Sequence, residues 1–261
     1  MGIPEKRRLE IRKLITDNRS SSVRNLANIF KVSELTIRRD LNKLEQEGHL
    51  EKVYGGAILR DISIDYSPVY LEDIKLFKKE KDKISMEAAK RIKNNDAIII
   101  ESGTTCLRLV NHISKINSLS VFCASVPIVY ELWKKSNKFK DLEINICGGL
   151  IHKKSNTLIG NQAVNYFKNI NANIAFISPV AISIEKMNTL TNSQMDADVT
   201  KSIMKSSKRN ILLSDSSKFL KNARCVVTSL KSFDEIITDS GINSKILKEA
   251  NKKNIKITVV D

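Results

Sequence analysis

The fold is decided by residues 22–57, which read SVRNLANIFKVSELTIRRDLNKLEQEGHLEKVYGGA. The first part predicts a short helix, whose apolar residues are Leu26, Ile29 and Phe30. A tight turn at Lys31-Val32 follows. Ser33 then stands where an N-cap belongs, because its hydroxyl can accept a hydrogen bond from a free amide of the next helix. The pattern therefore predicts two helices joined by a short turn.

The second of these helices is amphipathic. Ile37, Leu41 and Leu44 share one face at spacings i, i+4 and i+7, which is the face that we expect to be buried. The outer face is polar and basic, with Thr36, Arg39, Asn42 and Lys43 on it and Arg38 and Asp40 at its flanks. This is the helix-turn-helix layout, whose second helix enters the major groove of DNA. We expect the DNA contacts to come from Ser33, Thr36, Arg38, Arg39 and Lys43.

A wing and a first helix complete this region. Gly48 can end the second helix in a left-handed conformation. Residues 50–53, followed by Gly55-Gly56, predict a strand and a turn. Residues 5–16 predict an amphipathic helix with apolar positions Leu9, Ile11, Leu14 and Ile15. We expect a DNA-binding domain over residues 1–57, a linker over residues 58–75 and a second domain over residues 76–261.

These residues carry a family resemblance. The motif Val-Ser-x-x-Thr-Ile-Arg-Arg-Asp-Leu at residues 32–41 is followed by Leu44, Gly48, Leu50 and the Gly-Gly-Ala of residues 55–57. Together they closely resemble the winged helix of DeoR-type bacterial transcriptional regulators. The resemblance implies that the partner is double-stranded operator DNA.

The charge of the chain agrees with an anionic partner without proving one. The 261 residues are enough for two domains, and 44 Lys and Arg against 29 Asp and Glu give a net charge of +15. Such a surplus favours polyanions or anionic ligands. Residues 1–59 hold 12 basic and 8 acidic residues, a net charge of +4, so +11 lies elsewhere. A lysine-rich composition with a solvated basic surface explains part of it.

Cysteine and histidine usage indicates no metal, cofactor or disulfide framework. The four cysteines are far apart and form no Cys-x-x-Cys pair, and the three histidines show no metal-ligand spacing. No apolar run approaches the about 18–20 residues of a membrane span. The N-terminus is charged from Glu5 to Glu10, unlike a signal peptide. We expect reduced thiols in a cytoplasmic protein without a membrane partner.

From residue 97 onward, apolar strands alternate with amphipathic helices. Strands are predicted near residues 97–100, 119–123, 142–146, 174–177, 210–213, 225–228, 235–238 and 255–259. This alternation predicts an α/β domain with a largely parallel sheet that helices cover on both faces. Ligands bind such sheets at the carboxyl ends of the strands.

Three motifs follow predicted strands. In Glu101-Ser-Gly-Thr-Thr105, Gly103 permits a tight turn, and hydroxyls and free amides can cradle a phosphate. An ordinary capped helix start explains this motif equally well. Gly148-Gly149 and the run Asp215-Ser-Ser-Lys-Phe219 are, taken alone, better explained as structural turns. Lysines clustered over residues 75–83 are typical of a solvated helix face.

Taken together and in order, these motifs resemble the C-terminal sensor domain of DeoR-type regulators. Lys81 with Ile84, Gly160, Leu190-Thr191 and Ile237-Thr238-Asp239 extend the match. The resemblance implies a fold like that of ribose-5-phosphate isomerase and glucosamine-6-phosphate deaminase, used as a receptor for a phosphorylated sugar. The implied effector-binding residues are Ser102, Gly103, Thr104, Thr105, Ser125, Gly148, Gly149, Asp215, Ser217 and Lys218. It also implies a repressor, relieved by its effector, of a carbohydrate-utilisation operon. We further expect a homodimer or homotetramer.

Two other functions remain open at this point. One is a sugar-phosphate isomerase or deaminase with an appended DNA-binding head, which needs a positioned general base. Glu101, Asp215 and Asp239 are the candidates, but each has a plain structural role, so we expect no enzyme. The other is an architectural nucleic-acid binder, which would leave the motifs after the strands unexplained.

Overall fold

A computed structural model describes residues 3–18, 20–47, 49–59 and 68–261. The chain divides into two compact units, Met1–Asp65 and Tyr66–Asp261. The predicted helix end at Gly48 lies outside the described residues, as do residues 60–67 of the predicted linker.

The first unit is a winged helix. Its elements are α1 (Ile3–Asn18), β1 (Ser20–Ser22), α2 (Val23–Phe30), α3 (Glu34–Gln46), β2 (Leu50–Val53) and β3 (Gly56–Leu59). The strands form an antiparallel sheet in the order β1-β3-β2. The predicted helices and wing are confirmed. The sequence did not indicate β1, because its three serines have little β propensity and pair only through their backbone with β3.

One position on α3 corrects the expected helix face. Asp40, expected at the flank of the outer face, is only 4% exposed. Its carboxylate accepts a hydrogen bond of 2.6 Å from Arg7 Nε and one of 3.4 Å from Arg8 Nη1. Asp40 adjoins the buried Ile37 and Leu41, so two arginines of α1 compensate its charge. The ion pairs thereby tie α1 to α3.

The second unit holds the α/β fold. Its helices are α4 (Pro68–Lys75), α5 (Lys78–Ala89), α6 (Thr104–Leu109), α7 (Val126–Lys134), α8 (Asn161–Lys168), α9 (Gln194–Lys205) and α10 (Ser244–Lys252). Its strands are β4 (Ala97–Ile100), β5 (Leu119–Cys123), β6 (Leu142–Ile146), β7 (Leu150–His152), β8 (Thr157–Ile159), β9 (Ala172–Ile177), β10 (Ala181–Ser183), β11 (Asn188–Thr191), β12 (Ser207–Leu213), β13 (Cys225–Ser229), β14 (Glu235–Asp239) and β15 (Ile257–Val260).

A parallel sheet is the framework of this unit, as predicted. Within residues 68–261 it has seven strands in the order β15-β14-β12-β9-β4-β5-β6. Apolar side chains pack on both faces. Ile99 belongs to the core on one face, whereas Ile98 and Ile100 belong to the core on the other. A strand buried on both sides has no polar alternation, which is why β4 is apolar throughout.

Two segments differ from the prediction. Strand β13 is not part of the parallel sheet but pairs in an antiparallel sheet of order β10-β11-β13. Residues 68–75, predicted as linker, form helix α4. Its mixed sequence has no clear apolar period, so tertiary contacts rather than the sequence pattern decide its conformation.

Candidate functional site

The start of helix α3 is fixed by two hydroxyls. Ser33 Oγ accepts a hydrogen bond from the Thr36 amide at 3.2 Å and lies 2.9 Å from Thr36 Oγ1. The predicted N-cap at Ser33 is thus confirmed. Both hydroxyls take part in the cap, so they orient the helix that carries the basic residues.

The basic side chains of α3 are exposed. Arg38, Arg39 and Lys43 all face solvent, whereas Ile37, Leu41 and Leu44 are buried. Arg38 Nη2 lies 3.6 Å from Glu34 Oε2 in a solvent-exposed pair. Such pairs contribute only about 0.3–0.5 kcal/mol. Arg38 can therefore leave Glu34 for a DNA phosphate at little cost.

The wing adds a residue that sequence reasoning missed. Tyr54 is fully exposed at the tip of the β2–β3 turn, next to Gly55 with φ +81°. The wing is held to α3, because the Lys52 amide donates to Glu45 Oε1 at 2.9 Å. An aromatic residue beside a Gly-Gly turn is the signal that could have indicated Tyr54.

The second unit contains a cavity of about 400 Å³. It lies where three neighbouring strands of the sheet, β4, β9 and β12, end. Of the predicted effector residues, Ser102, Gly103, Thr104 and Lys218 line it. Thr105, Ser125, Gly148, Gly149, Asp215 and Ser217 are not among the lining residues.

The loop after β4 is positioned by a glycine. Gly103 has φ +90°, and a Cβ there would lie 2.9 Å from Ser178 Cβ. Only glycine allows this backbone conformation beside the loop that follows β9. Gly103 thus places Ser102 and Thr104 at the cavity wall.

Asp215, Ser217 and Gly149 do not line the cavity but have structural roles in the surrounding loops. Asp215 Oδ1 accepts hydrogen bonds from the Ser217 amide, at 3.2 Å, and from the Ser217 hydroxyl. This cap starts the 3₁₀ turn Ser216–Leu220 that carries Lys218. A Cβ on Gly149 would lie 2.6 Å from the carbonyl oxygen of Ile159, so this glycine serves close packing between β7 and β8.

Thr105 and Ser125 do not line the cavity either, and both are buried. The Thr105 carbonyl accepts a hydrogen bond of 2.7 Å from Ser85 Oγ. Ser125 is fully buried and forms a β-bridge to Thr157, which itself lines the cavity.

At one end of the cavity, three donors converge on one carboxylate. Asp73 Oδ2 accepts a hydrogen bond of 2.9 Å from Thr104 Oγ1, and Asp73 Oδ1 lies 3.4 Å from Lys218 Nζ. Lys81 Nζ lies 3.5 Å from Asp73 Oδ2 and donates to the Asp73 carbonyl at 2.5 Å. We call Asp73, Lys81, Thr104 and Lys218 the anion cluster. Sequence reasoning missed Asp73, because it lies in the segment predicted as linker.

The charges of the anion cluster depend on each other. Burial raises the pKa of Asp73, but Lys218, Lys81 and Thr104 outweigh burial and hold that pKa below its usual value. Burial lowers the pKa of Lys81, and Asp73 and Asp215 oppose this only in part. Lys81 is 0% exposed, so the prediction that the 75–83 lysines form a solvated face is wrong for this residue.

A second polar group lines the cavity around Glu101. Its carboxyl accepts hydrogen bonds from the Thr200 hydroxyl and, at 3.3 Å, from the Ser178 amide. Nearby, His152 Nδ1 lies 3.0 Å from Asp196 Oδ2. Burial raises the pKa of Glu101 to about 7, against the partial effect of Thr200 and Ser178. The sequence indicates Glu101 as the first residue of the motif after β4 and as a candidate general base, whereas the His152–Asp196 pair joins residues too distant in sequence to be recognised.

Asp239, the third candidate for a general base, has a structural role. Asp239 accepts hydrogen bonds from the Ser216 and Gly241 amides, so it organises the loops after β12 and β14.

Burial raises the pKa of Cys123 to about 12 and that of Cys147 to about 11, which disfavours reactive thiolates. Across the described residues, no cluster of three metal-ligating side chains occurs and no helix is long and apolar enough to cross a membrane.

Comparison with known families identifies both units. A DeoR-like helix-turn-helix domain matches residues 7–63, and the DeoR C-terminal sensor domain matches residues 77–240. This chain belongs to the DeoR family. It therefore binds DNA through its helix-turn-helix, and its α/β unit is a sensor domain for a small-molecule effector.

Relatives of similar length support the same identification. An HTH-type transcriptional regulator of Haemophilus influenzae is 31% identical over 258 residues, covering 99% of this chain and 98% of the relative. The HTH-type transcriptional regulator GolR of Listeria innocua is 28% identical over 261 residues, covering 99% of each. The transcriptional repressor AccR of Agrobacterium fabrum is 25% identical over 255 residues, covering 98% of this chain and 97% of AccR. This DeoR-family chain is thus a transcriptional regulator and not an enzyme.

Solved structures give a weaker likeness. Ribose 5-phosphate isomerase A of Methanocaldococcus jannaschii shares 12% identity and a TM-score of 0.40, covering 54% of each chain.

Arg39 provides a test of the exposed face of α3. We predict that Arg39→Ala weakens operator binding by about 1–3 kcal/mol and relaxes sequence preference, because a bidentate arginine reads a guanine edge. Arg38→Ala should instead weaken binding to all DNA sequences alike and reduce the salt dependence of the affinity, as the loss of a phosphate contact does. Gel-shift titrations on an operator selected with the wild type measure both. Arg209→Ala, the same change in the sensor unit, is the control. Unchanged affinity in both α3 variants would refute this interpretation.

The raised pKa of Glu101 predicts that the stability of the folded chain depends on pH. Its pKa is about 7 in the folded chain against an ordinary value of 4.5. The unfolded chain therefore loses this proton first, and stability should fall between about pH 4.5 and 7 by about 3 kcal/mol. Glu101→Gln should remove this loss, which urea unfolding at pH 5 and pH 8, followed by circular dichroism, measures. The exposed Glu185→Gln is the control. An equally steep pH dependence in Glu101→Gln contradicts the prediction.

Proposed function

We propose that this DeoR-family regulator represses a carbohydrate-utilisation operon and that a phosphorylated sugar binding in the sensor cavity relieves the repression. The observation that carries the proposal is the convergence of Lys81, Lys218 and Thr104 on a single carboxylate. Two cations and a hydroxyl donor around one acceptor group are the arrangement that an anionic group of an effector requires.

The rest of the cavity suits a sugar. Its lining includes residues of the anion cluster and also a second polar group, formed by Glu101, Asp196 and His152. Carboxylates and an imidazole offer the acceptors and donors that sugar hydroxyls need. Pro179 and Val180 line the same cavity and supply apolar surface. We propose that the phosphate binds at the anion cluster and that the hydroxyls face Glu101 and Asp196.

The names of relatives agree with this proposal. AccR is named a transcriptional repressor, which supports repression as the sign of regulation. DNA and phosphorylated sugars meet in the cytoplasm, where the free thiols of this chain would stay reduced. We therefore propose the cytoplasm as the place of action.

Lys218 provides the test of effector binding. We predict that Lys218→Ala and Thr104→Ala bind operator like the wild type but do not respond to a sugar phosphate that shifts the wild type. The reason is that a phosphate carries about −1.5 to −2 charges and loses a compensating cation or donor. An operator titration with and without a panel of phosphorylated sugars measures this response.

The matched control is Lys231→Ala, which removes an equal charge from an exposed side chain of the sensor unit that does not line the cavity. It should respond to the effector like the wild type. A wild-type response in Lys218→Ala would reject the assigned cavity. If no sugar phosphate shifts the wild type, the effector is of another chemical class.

We also propose that the regulator acts as a homodimer or homotetramer assembled through its sensor unit. One winged helix reads a short half-site, and tethering two heads raises affinity without new contacts. Exposed apolar side chains in this unit, among them Trp133 at 68% and Leu150 at 66%, are available for such an interface. We expect sedimentation of the full chain at micromolar concentration to give a dimer or tetramer, and a stable monomer would contradict this.

A further inference from the structure

The donors of the anion cluster are already engaged by a group of the protein itself. Asp73 belongs to helix α4, which precedes the sensor sheet in the chain. Its carboxylate holds Thr104 Oγ1 at 2.9 Å and lies within 3.5 Å of the ammonium groups of both Lys81 and Lys218. The two lysine side chains are 0% and 10% exposed, whereas that of Asp73 is 30% exposed. The carboxylate therefore occupies the cavity end of the cluster.

Thr104 cannot serve Asp73 and a second acceptor at once. A threonine hydroxyl has a single proton to donate, and Thr104 donates it to Asp73 Oδ2. A phosphate can receive this hydrogen bond only after the carboxylate has given it up.

The charges lead to the same conclusion. The formal charges of Asp73 and Asp215 balance those of Lys81 and Lys218, so these four side chains together carry no net formal charge. Adding a phosphate of about −1.5 to −2 charges would place an uncompensated negative charge in a largely buried site, which is unfavourable. When the Asp73 carboxylate turns away, the remaining charge is +1, which compensates about half to two thirds of the charge of the phosphate.

We propose that the Asp73 carboxylate occupies the phosphate subsite of the effector cavity, and that a phosphate ester binds by displacing it. This inference rests on the proposed function, because it concerns the same cavity. Asp73 is then an internal competitor that lowers the affinity for every phosphate ester, and the regulator responds only when the effector is abundant. The affinity of a site that is open for only part of the time falls by that fraction.

The displacement requires only a side-chain movement. The backbone near Asp73 is held independently, because Lys81 Nζ donates to the Asp73 carbonyl and Arg108 Nη2 donates to the Ile74 carbonyl at 3.0 Å. The carboxylate can rotate away from Thr104 while this end of α4 stays anchored. Lys81 keeps the carbonyl contact and the nearby charge of Asp215.

The test measures phosphate binding by calorimetry with the full chain, using inorganic phosphate and a panel of sugar phosphates. Asp73→Asn removes the charge of the competitor at nearly the same size, and we expect it to bind inorganic phosphate at least about tenfold more tightly than the wild type. Asp141→Asn is the matched control. It is the same substitution at an exposed carboxylate that directly precedes β6 and does not line the cavity. Its phosphate affinity should equal that of the wild type.

The outcomes separate this inference from the proposed function. Equal phosphate affinity in the wild type and Asp73→Asn would overturn the inference and leave the sugar-phosphate effector standing. If neither phosphate nor any sugar phosphate binds to any of the three proteins, both are overturned. If Asp73→Asn is unfolded in phosphate-free buffer, millimolar phosphate should restore its folded circular dichroism spectrum, since phosphate then replaces the missing charge. Failure of phosphate to do so would also overturn the inference.

Discussion

The sensor unit depends on the compensation of one buried charge. The ammonium group of Lys81 is completely removed from solvent, and an unpaired ion in that position would be strongly unfavourable. Asp73 lies against it, and Asp215 adds a second negative charge. These residues come from α4, α5 and the loop after β12, so one electrostatic requirement joins three separate parts of the chain. The same requirement creates a cationic site that another anion can share.

The parallel arrangement of the strands explains why this site lies at the carboxyl ends of the central strands. Neighbouring strands β12, β9 and β4 end side by side, and each is followed by a loop rather than by a tight hairpin. The loops bring Lys218, Ser178 and Thr104 to one cavity. Hydrophobic packing on both faces of the sheet fixes the strands, and so the loop residues are placed by a rigid support. Packing also fixes the functional side chains of the winged helix. The buried face of α3 holds this helix in place, and Arg39 and Lys43 face solvent.

Local patterns predicted the parts of this structure that depend on local physics. The N-cap at Ser33, the face of Ile37 and Leu41 and the buried strand Ala97–Ile100 all follow from capping and periodicity, and all are confirmed. The contacts of Asp40 and Lys81 were not predictable in this way, because each depends on a partner many residues away. Asp73 was missed for the same reason. Its role arises when α4 packs near α6, and no spacing in its own segment indicates a ligand.

A crystal structure of the full chain, grown with a phosphate ester that shifts operator binding, tests the central claim most directly. The account predicts phosphate oxygens within hydrogen-bond distance of Lys218 Nζ and Thr104 Oγ1, with the Asp73 carboxylate turned away from both. An ester bound while Asp73 still accepts the hydrogen bond from Thr104, or bound away from Lys218, would contradict it.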